Sequence, residues 1–162
     1  MMRPRTMLRV GLAALAIALP ATATAPKTQY ERFTTDAVEI SDLETTLVWD
    51  RKRVTKQADP GAARSYCSST VFPPNGRVPT VKELLTLVDE DPFTEYDSTF
   101  SPPYVQKNID QNAFAKTRSP VDKPYWTSTP GFNPGEFWTV DFKTGKTAIK
   151  TAVEPLYVRC VR

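Results

Sequence analysis

The sequence contains no histidine. That removes imidazole acid–base catalysis, Ser-His and Cys-His nucleophilic sites, and His-ligated zinc. Carboxylates remain the catalytic option. Asp89, Glu90, Asp91, Glu95 and Asp97 follow one another closely. Such a run could bind calcium through oxygen ligands, with Asp89, Asp91 and Asp97 as the candidate set, or supply an acid/base pair. The plainer reading of the same run is a solvated loop after a helix end. A second group of residues suits recognition rather than catalysis: Tyr96, Phe100 and Tyr104 on one polar stretch, and Phe132, Asn133 and Glu136 on another. Aromatic rings and amide groups on loops make contact surfaces at low entropic cost.

These groups must be held by elements, and the clearest lies at Tyr125–Lys146. Trp138, Val140 and Phe142 point one way and Thr139 and Asp141 the other, the period of a half-buried strand. Lys143-Thr144-Gly145 then makes a turn, and Lys146 to Val153 reads as the return strand of a hairpin. Tryptophans in short strands belong in the core, so Trp126 and Trp138 are expected there, Trp138 also sharing the parity of Val140 and Phe142. Thr80 and Glu83 have capping-box spacing, and Val81, Leu84, Leu85 and Val88 form an apolar stripe, so a helix is expected over Thr80–Asp89. Asp59-Pro60 opens an earlier helix with Ala62, Ala63, Tyr66 and Cys67 on one face. Short strands are expected over Ala37–Ile40 and Thr45–Trp49, with Trp49 inward, and Arg51 to Lys56 reads as a solvated loop. Glu90 to Pro124 shows no period and is expected to be a long irregular region, functional or disordered. Leu156, Val158 and Cys160 share a face of a terminal strand.

The N-terminus has the form of a secretory signal. Arg3, Arg5 and Arg9 precede an apolar run, Val10 to Leu19, and small residues follow at 21–25. Cleavage is expected after Ala23, with Ala25 as the alternative. A run of about ten apolar residues is too short to cross a bilayer, so no membrane span is expected in the mature chain. Residues 24–36 form a polar lead-in and 37–162 one domain. The 21 Lys+Arg and 18 Asp+Glu of the whole chain become 18 of each once the three signal arginines are removed. A formally neutral chain gives no reason to expect nucleic acid as a partner. The chain is therefore expected to be exported, to the periplasm or beyond. In that compartment its two cysteines, Cys67 and Cys160, point to a disulfide, and only one pairing is possible. The other reading is two unrelated buried thiols.

Several motifs recur together in one family in this order. They are LVWDR at 47–51, SYC at 65–67, RVPTVKELLTLVD at 77–89, Ile109-Asp110, YWTST at 125–129, WTVDFKTG at 138–145 and YVRCVR at 157–162. Together they resemble the Lcl C-terminal domain family, the C-terminal domain of a bacterial collagen-like adhesin. The resemblance implies an α+β, C-type-lectin-like fold: two helices packed on a small twisted antiparallel sheet, long irregular loops, and one disulfide from the first helix to the last strand. It also implies adhesion, or binding of a glycan (such as a sulfated polysaccharide) or of an extracytoplasmic protein, without catalysis. Gly76 stands where the family usually has tryptophan. The calcium-and-sugar motifs of true C-type lectins are absent, and Trp138-Thr139-Val140 occupies the place of one of them. The other function classes are a carboxylate-based enzyme and a structural envelope protein with no small ligand. The ligand and the oligomeric state cannot be read from the residues.

Overall fold

The computed structural model describes residues 29–31, 38–51, 54–57, 59–110, 113–114 and 120–162. The segment expected to be a signal and its expected cleavage site lie outside them, as does most of the expected polar lead-in. Among the described residues the chain forms ten strands in three sheets. β1 (Tyr30–Glu31), β2 (Glu39–Asp42) and β3 (Val48–Asp50) make an antiparallel three-stranded sheet. β4 (Thr55–Gln57), β7 (Tyr125–Pro130), β8 (Glu136–Asp141), β9 (Lys146–Thr151) and β10 (Leu156–Val158) make a five-stranded sheet in the order β4-β10-β7-β8-β9. β5 (Phe93–Tyr96) and β6 (Tyr104–Lys107) form a separate hairpin. α1 (Pro60–Tyr66) runs on into π-helical turns over Cys67–Val71, and α2 (Val81–Leu85) is little more than one turn.

This overturns the α+β, C-type-lectin-like expectation of two helices packed on one small sheet, because strands in three sheets dominate the described residues. The second helix fails for a local reason. After Leu85 the hydrogen bonds switch from four residues back to three: Leu87 N–H donates to Leu84 C=O and Val88 N–H to Leu85 C=O. The tighter winding turns Leu87, three residues past Leu84, toward the core. Leu84 and Leu87 are therefore buried, Val88 is half-buried, and Leu85 is exposed. The helical stripe holds for one turn only.

The middle segment also differs. Within the stretch expected to be irregular, β5 and β6 pair from Phe93↔Lys107 to Tyr96↔Tyr104. β6 alternates cleanly, with Val105 and Lys107 inward and Tyr104 and Gln106 outward. An inward lysine breaks the hydrophobic alternation that would announce a strand. Its charge is met by Glu95 across the hairpin, as a buried ammonium requires. Arg51, expected in a solvated loop, is buried, and its Nε–H donates to the Ala113 carbonyl at 2.7 Å.

A disulfide ties the C-terminal segment back to the first helical segment. Cys67 and Cys160 are bonded, their Cα atoms 5.4 Å apart, joining the helix after α1 to the chain beyond β10. Ala63, Val71, Phe72, Val78 and Val158 pack around it as a small core of their own. The larger core gathers Ile40, Trp49, Leu84, Val140 and Phe142. Trp126 and Val158 are fully buried too. Trp138 is only half-buried, although it shares parity with Val140 and Phe142. It lies toward the open end of β8, where Phe132 meets it edge-on at 6.1 Å.

Gly76, the departure from the family pattern, turns out to be required. A Cβ there would lie 2.1 Å from the Cys67 carbonyl oxygen. That carbonyl already accepts the Phe72 N–H, and Gly76 N–H donates to Phe72 C=O at 2.6 Å. A larger residue enters this crossing only by displacing the turn.

Candidate functional site

The two groups of recognition residues are not brought together. Phe132, Asn133 and Glu136 sit in the β7–β8 turn, at one end of β8. Tyr96, Phe100 and Tyr104 belong to the β5–β6 arm, which meets the β8–β9 turn at the other end, roughly 17 Å away along a six-residue strand. The arm is tied there by Asn108, whose N–H donates to Phe142 C=O at 2.7 Å and whose Nδ2–H donates to Lys143 C=O at 2.8 Å.

In the β7–β8 turn two of the polar side chains bind each other. Asn133 donates both its N–H and its Nδ2–H to one Glu136 carboxylate oxygen, each at 3.0 Å. Phe132 is 84% exposed. This turn offers one exposed ring beside an Asn133–Glu136 pair bonded to each other.

The arm is different. Tyr96 and Tyr104 face each other across the hairpin, rings edge-to-face at 5.6 Å, and are 65% and 64% exposed. Exposing two large rings forgoes burial that would contribute about 1.5–3 kcal/mol each, so their place at the surface suits contact with something else. Beside them lies a cleft of about 500 Å³, lined by Phe100, Tyr104, Thr94, Gln106, Lys143 and Thr144 among others. Its chemistry is mixed: two aromatic rings, hydroxyl and amide groups, and one ammonium. Lys143 Nζ sits 5.0 Å from the Phe100 ring centroid, which fixes the cation over the ring face.

On the far side of Phe100 a smaller cleft, about 320 Å³, is lined by Asp97, Thr99, Lys107, Val121 and Asp122 among others. Asp97 accepts both the hydroxyl (2.6 Å) and the N–H (2.9 Å) of Thr99. The Thr99 hydroxyl bond is the chief reason its carboxyl sits below the usual range. Burial alone would raise Asp122, but hydrogen bonds from the Tyr157 hydroxyl (2.7 Å) and Lys56 ammonium (3.1 Å) bring it below its ordinary value. Both carboxyls are ionised at neutral pH.

The acidic run does not converge on a point. Asp89 accepts the Asp91 N–H at 2.9 Å, and burial, the nearby Asp110 and Asp91 push its carboxyl up. Asp97 closes its own turn. Among the described residues no group of three or more acidic, histidine or cysteine side chains is placed to hold a metal ion.

Behind these loops, α2 is fastened firmly. Thr80 caps it, with Glu83 N–H donating to the Thr80 hydroxyl and the Thr80 N–H to the Glu83 carboxylate. Arg77 donates to both Glu83 oxygens, at 2.8 and 2.7 Å. This bidentate pair, helped by Thr80 and opposed by partial burial, pulls the Glu83 carboxyl down to about 2. Thr129, on β7, accepts the Val81 N–H at 3.0 Å. Lys143, Gln106 and Thr94 were not foreseen as cleft residues, since only the pairing of β5 with β6 and the approach of the β8–β9 turn assemble them.

With the fold and these surfaces described, the comparison with known families has a clear outcome. The Lcl C-terminal domain model matches residues 38–162. The chain belongs to the Lcl C-terminal domain family. No curated protein matches it. No helix among the described residues is long and apolar enough to cross a membrane.

Proposed function

We propose that this is an exported recognition domain that binds a glycan, without catalysis, through the tip of the β5–β6 arm. The observation that carries the reading is the pair Tyr96 and Tyr104, set edge to face and exposed beside a cleft rich in hydroxyl and amide groups. Sugar rings present apolar C–H faces and a rim of hydroxyls. Aromatic faces with Thr94, Gln106 and Thr144 around them match both. The absence of histidine supports a binding role over acid–base work.

The carboxylate-enzyme reading has one observation of its own, the cleft shared by Asp97 and Asp122. Glycoside hydrolysis needs one carboxyl of the pair kept protonated as an acid. Here both are pulled down instead, which argues for binding. An extracytoplasmic protein as partner would use the same exposed rings.

A glycan array with the secreted protein, run with and without a chelator, tests the proposal. Binding to defined sugars that survives the chelator is expected. Binding abolished by the chelator would instead implicate calcium, and no binding to any sugar would overturn the glycan reading.

A further inference from the structure

The five-stranded sheet has two edges, and they are finished differently. At one edge β4 is three residues long, and its lysine, Lys56, is paired with Asp122 at 3.1 Å. At the other, β9 runs six residues as Lys-Thr-Ala-Ile-Lys-Thr, with only Ile149 even half-buried. Lys146 and Lys150 on this strand have no ion pair among the described residues.

The register fixes which backbone groups are open. β8 and β9 pair from Glu136↔Thr151 to Asp141↔Lys146, and the next rung, Gly135 with Ala152, is hydrogen-bonded, Ala152 N–H to Gly135 C=O. In an antiparallel ladder bonded rungs alternate. Lys146, Ala148 and Lys150 therefore turn their N–H and C=O toward β8, and Thr147, Ile149 and Thr151 turn theirs outward. The Thr151 carbonyl is already taken by the Val153 N–H at 2.8 Å, which fits this assignment. Both backbone groups of Thr147 and Ile149, and the N–H of Thr151, remain open along the edge.

We infer that β9 accepts an extended polypeptide segment as a sixth strand, and that the segment carries carboxylates four residues apart. Antiparallel addition places partner residues opposite Lys150 and Lys146 on one face. On the other face a residue lies opposite Ile149, which is itself paired with Trp138. The complementary segment reads acidic–apolar–x–x–acidic. Opposite charges directly across a rung are favourable and like charges are not. The same lysines disfavour a second copy of this chain as occupant, since two β9 strands paired about Ile149 would gather four ammonium groups on one face. Lysines on an edge prevent self-association, while a strand of matching charge can still add by main-chain bonding.

The test uses the intact chain and a capped peptide, Thr-Glu-Ile-Thr-Val-Glu-Thr, with a control in which both glutamates are lysine. Amide exchange should slow at Thr147, Ile149 and Thr151 on adding the glutamate peptide and stay unchanged at Lys146, Ala148 and Lys150. Thr147→Pro removes an outward N–H at an exposed position and leaves the β8 ladder whole, so it should weaken binding by about tenfold with little change in melting temperature. The double variant Lys146→Glu with Lys150→Glu keeps the backbone and should switch preference to the lysine peptide. Absent or parity-blind protection, equal binding of both peptides, or failure of the charge swap would overturn the inference. So would a concentration-dependent dimer that protects the same amides without peptide.

Discussion

Cys160 and Tyr96 stand at opposite extremes of this molecule. Cys160 has no exposed surface, its sulfur is bonded to Cys67, and its carbonyl accepts the Asp50 N–H at 2.9 Å. Its neighbour Arg159 is buried as well, stacked 4.4 Å over Phe114 and donating to the Asp50 carbonyl at 2.7 Å. Tyr96 is two-thirds exposed and rests on a four-rung hairpin and one partner ring. The base around the disulfide is held by several interactions at once. The arm is held by few, and its largest side chains contribute little to the core. On the proposed function, stability and recognition fall to different parts of the chain, and substitutions can separate them.

The largest expected effect is on the base. The disulfide closes a separation of 93 residues, so its reduction removes a constraint of about 4–5 kcal/mol on the unfolded chain. Melting followed with and without reductant should show a fall on the order of 10–20 °C. Coincident curves would mean that the base does not depend on the bond.

Gly76→Ala comes next. Its Cβ would collide with the carbonyl of Cys67, and relieving the overlap shifts the disulfide-bearing turn, costing about 1–3 kcal/mol in a denaturant titration. A neutral outcome would show that this turn yields more easily than the packing implies.

Glu83→Gln should cost about 1–2 kcal/mol, through loss of the charged pair with the half-exposed Arg77 and a weaker cap. Its pH dependence has a definite sign. A carboxyl lowered from 4.5 to about 2 on folding stabilises the native state fully above pH 4.5, and that contribution is lost as pH falls toward 2. Unfolding free energy measured from pH 6 to 2.5 should therefore drop less steeply in the glutamine variant. Parallel curves would remove Glu83 from the acid response.

The smallest stability effect is expected at the arm: truncating both exposed tyrosines should change the free energy of unfolding by less than about 1 kcal/mol.

Much of the base is legible in the sequence, because local signals and tertiary roles agree there. Asp59 caps α1 by accepting the Ala62 N–H, Thr80 and Glu83 form the expected box, and Val140 and Phe142 fall on the buried face. What is hidden depends on partners distant in sequence. Lys107 reads as a surface residue until Glu95 is placed opposite it, and only that pairing reveals β6 as a strand. Arg159 breaks the pattern of a core strand until Phe114 and the Asp50 carbonyl are brought to it. Leu87 cannot be chosen over Leu85 without knowing that the helix tightens after one turn. The candidate cleft is the least legible part, since Lys143 comes from a turn some 40 residues away from the ring it covers.

The separation of base and arm is tested most directly by measuring melting temperature and glycan affinity on one preparation of the Tyr96→Ala/Tyr104→Ala variant, using a sugar that the wild-type chain binds. The account predicts a melting temperature within about 3 °C of wild type and an affinity at least about tenfold lower. Unchanged affinity, or a loss no larger than the fraction of protein unfolded, would contradict it.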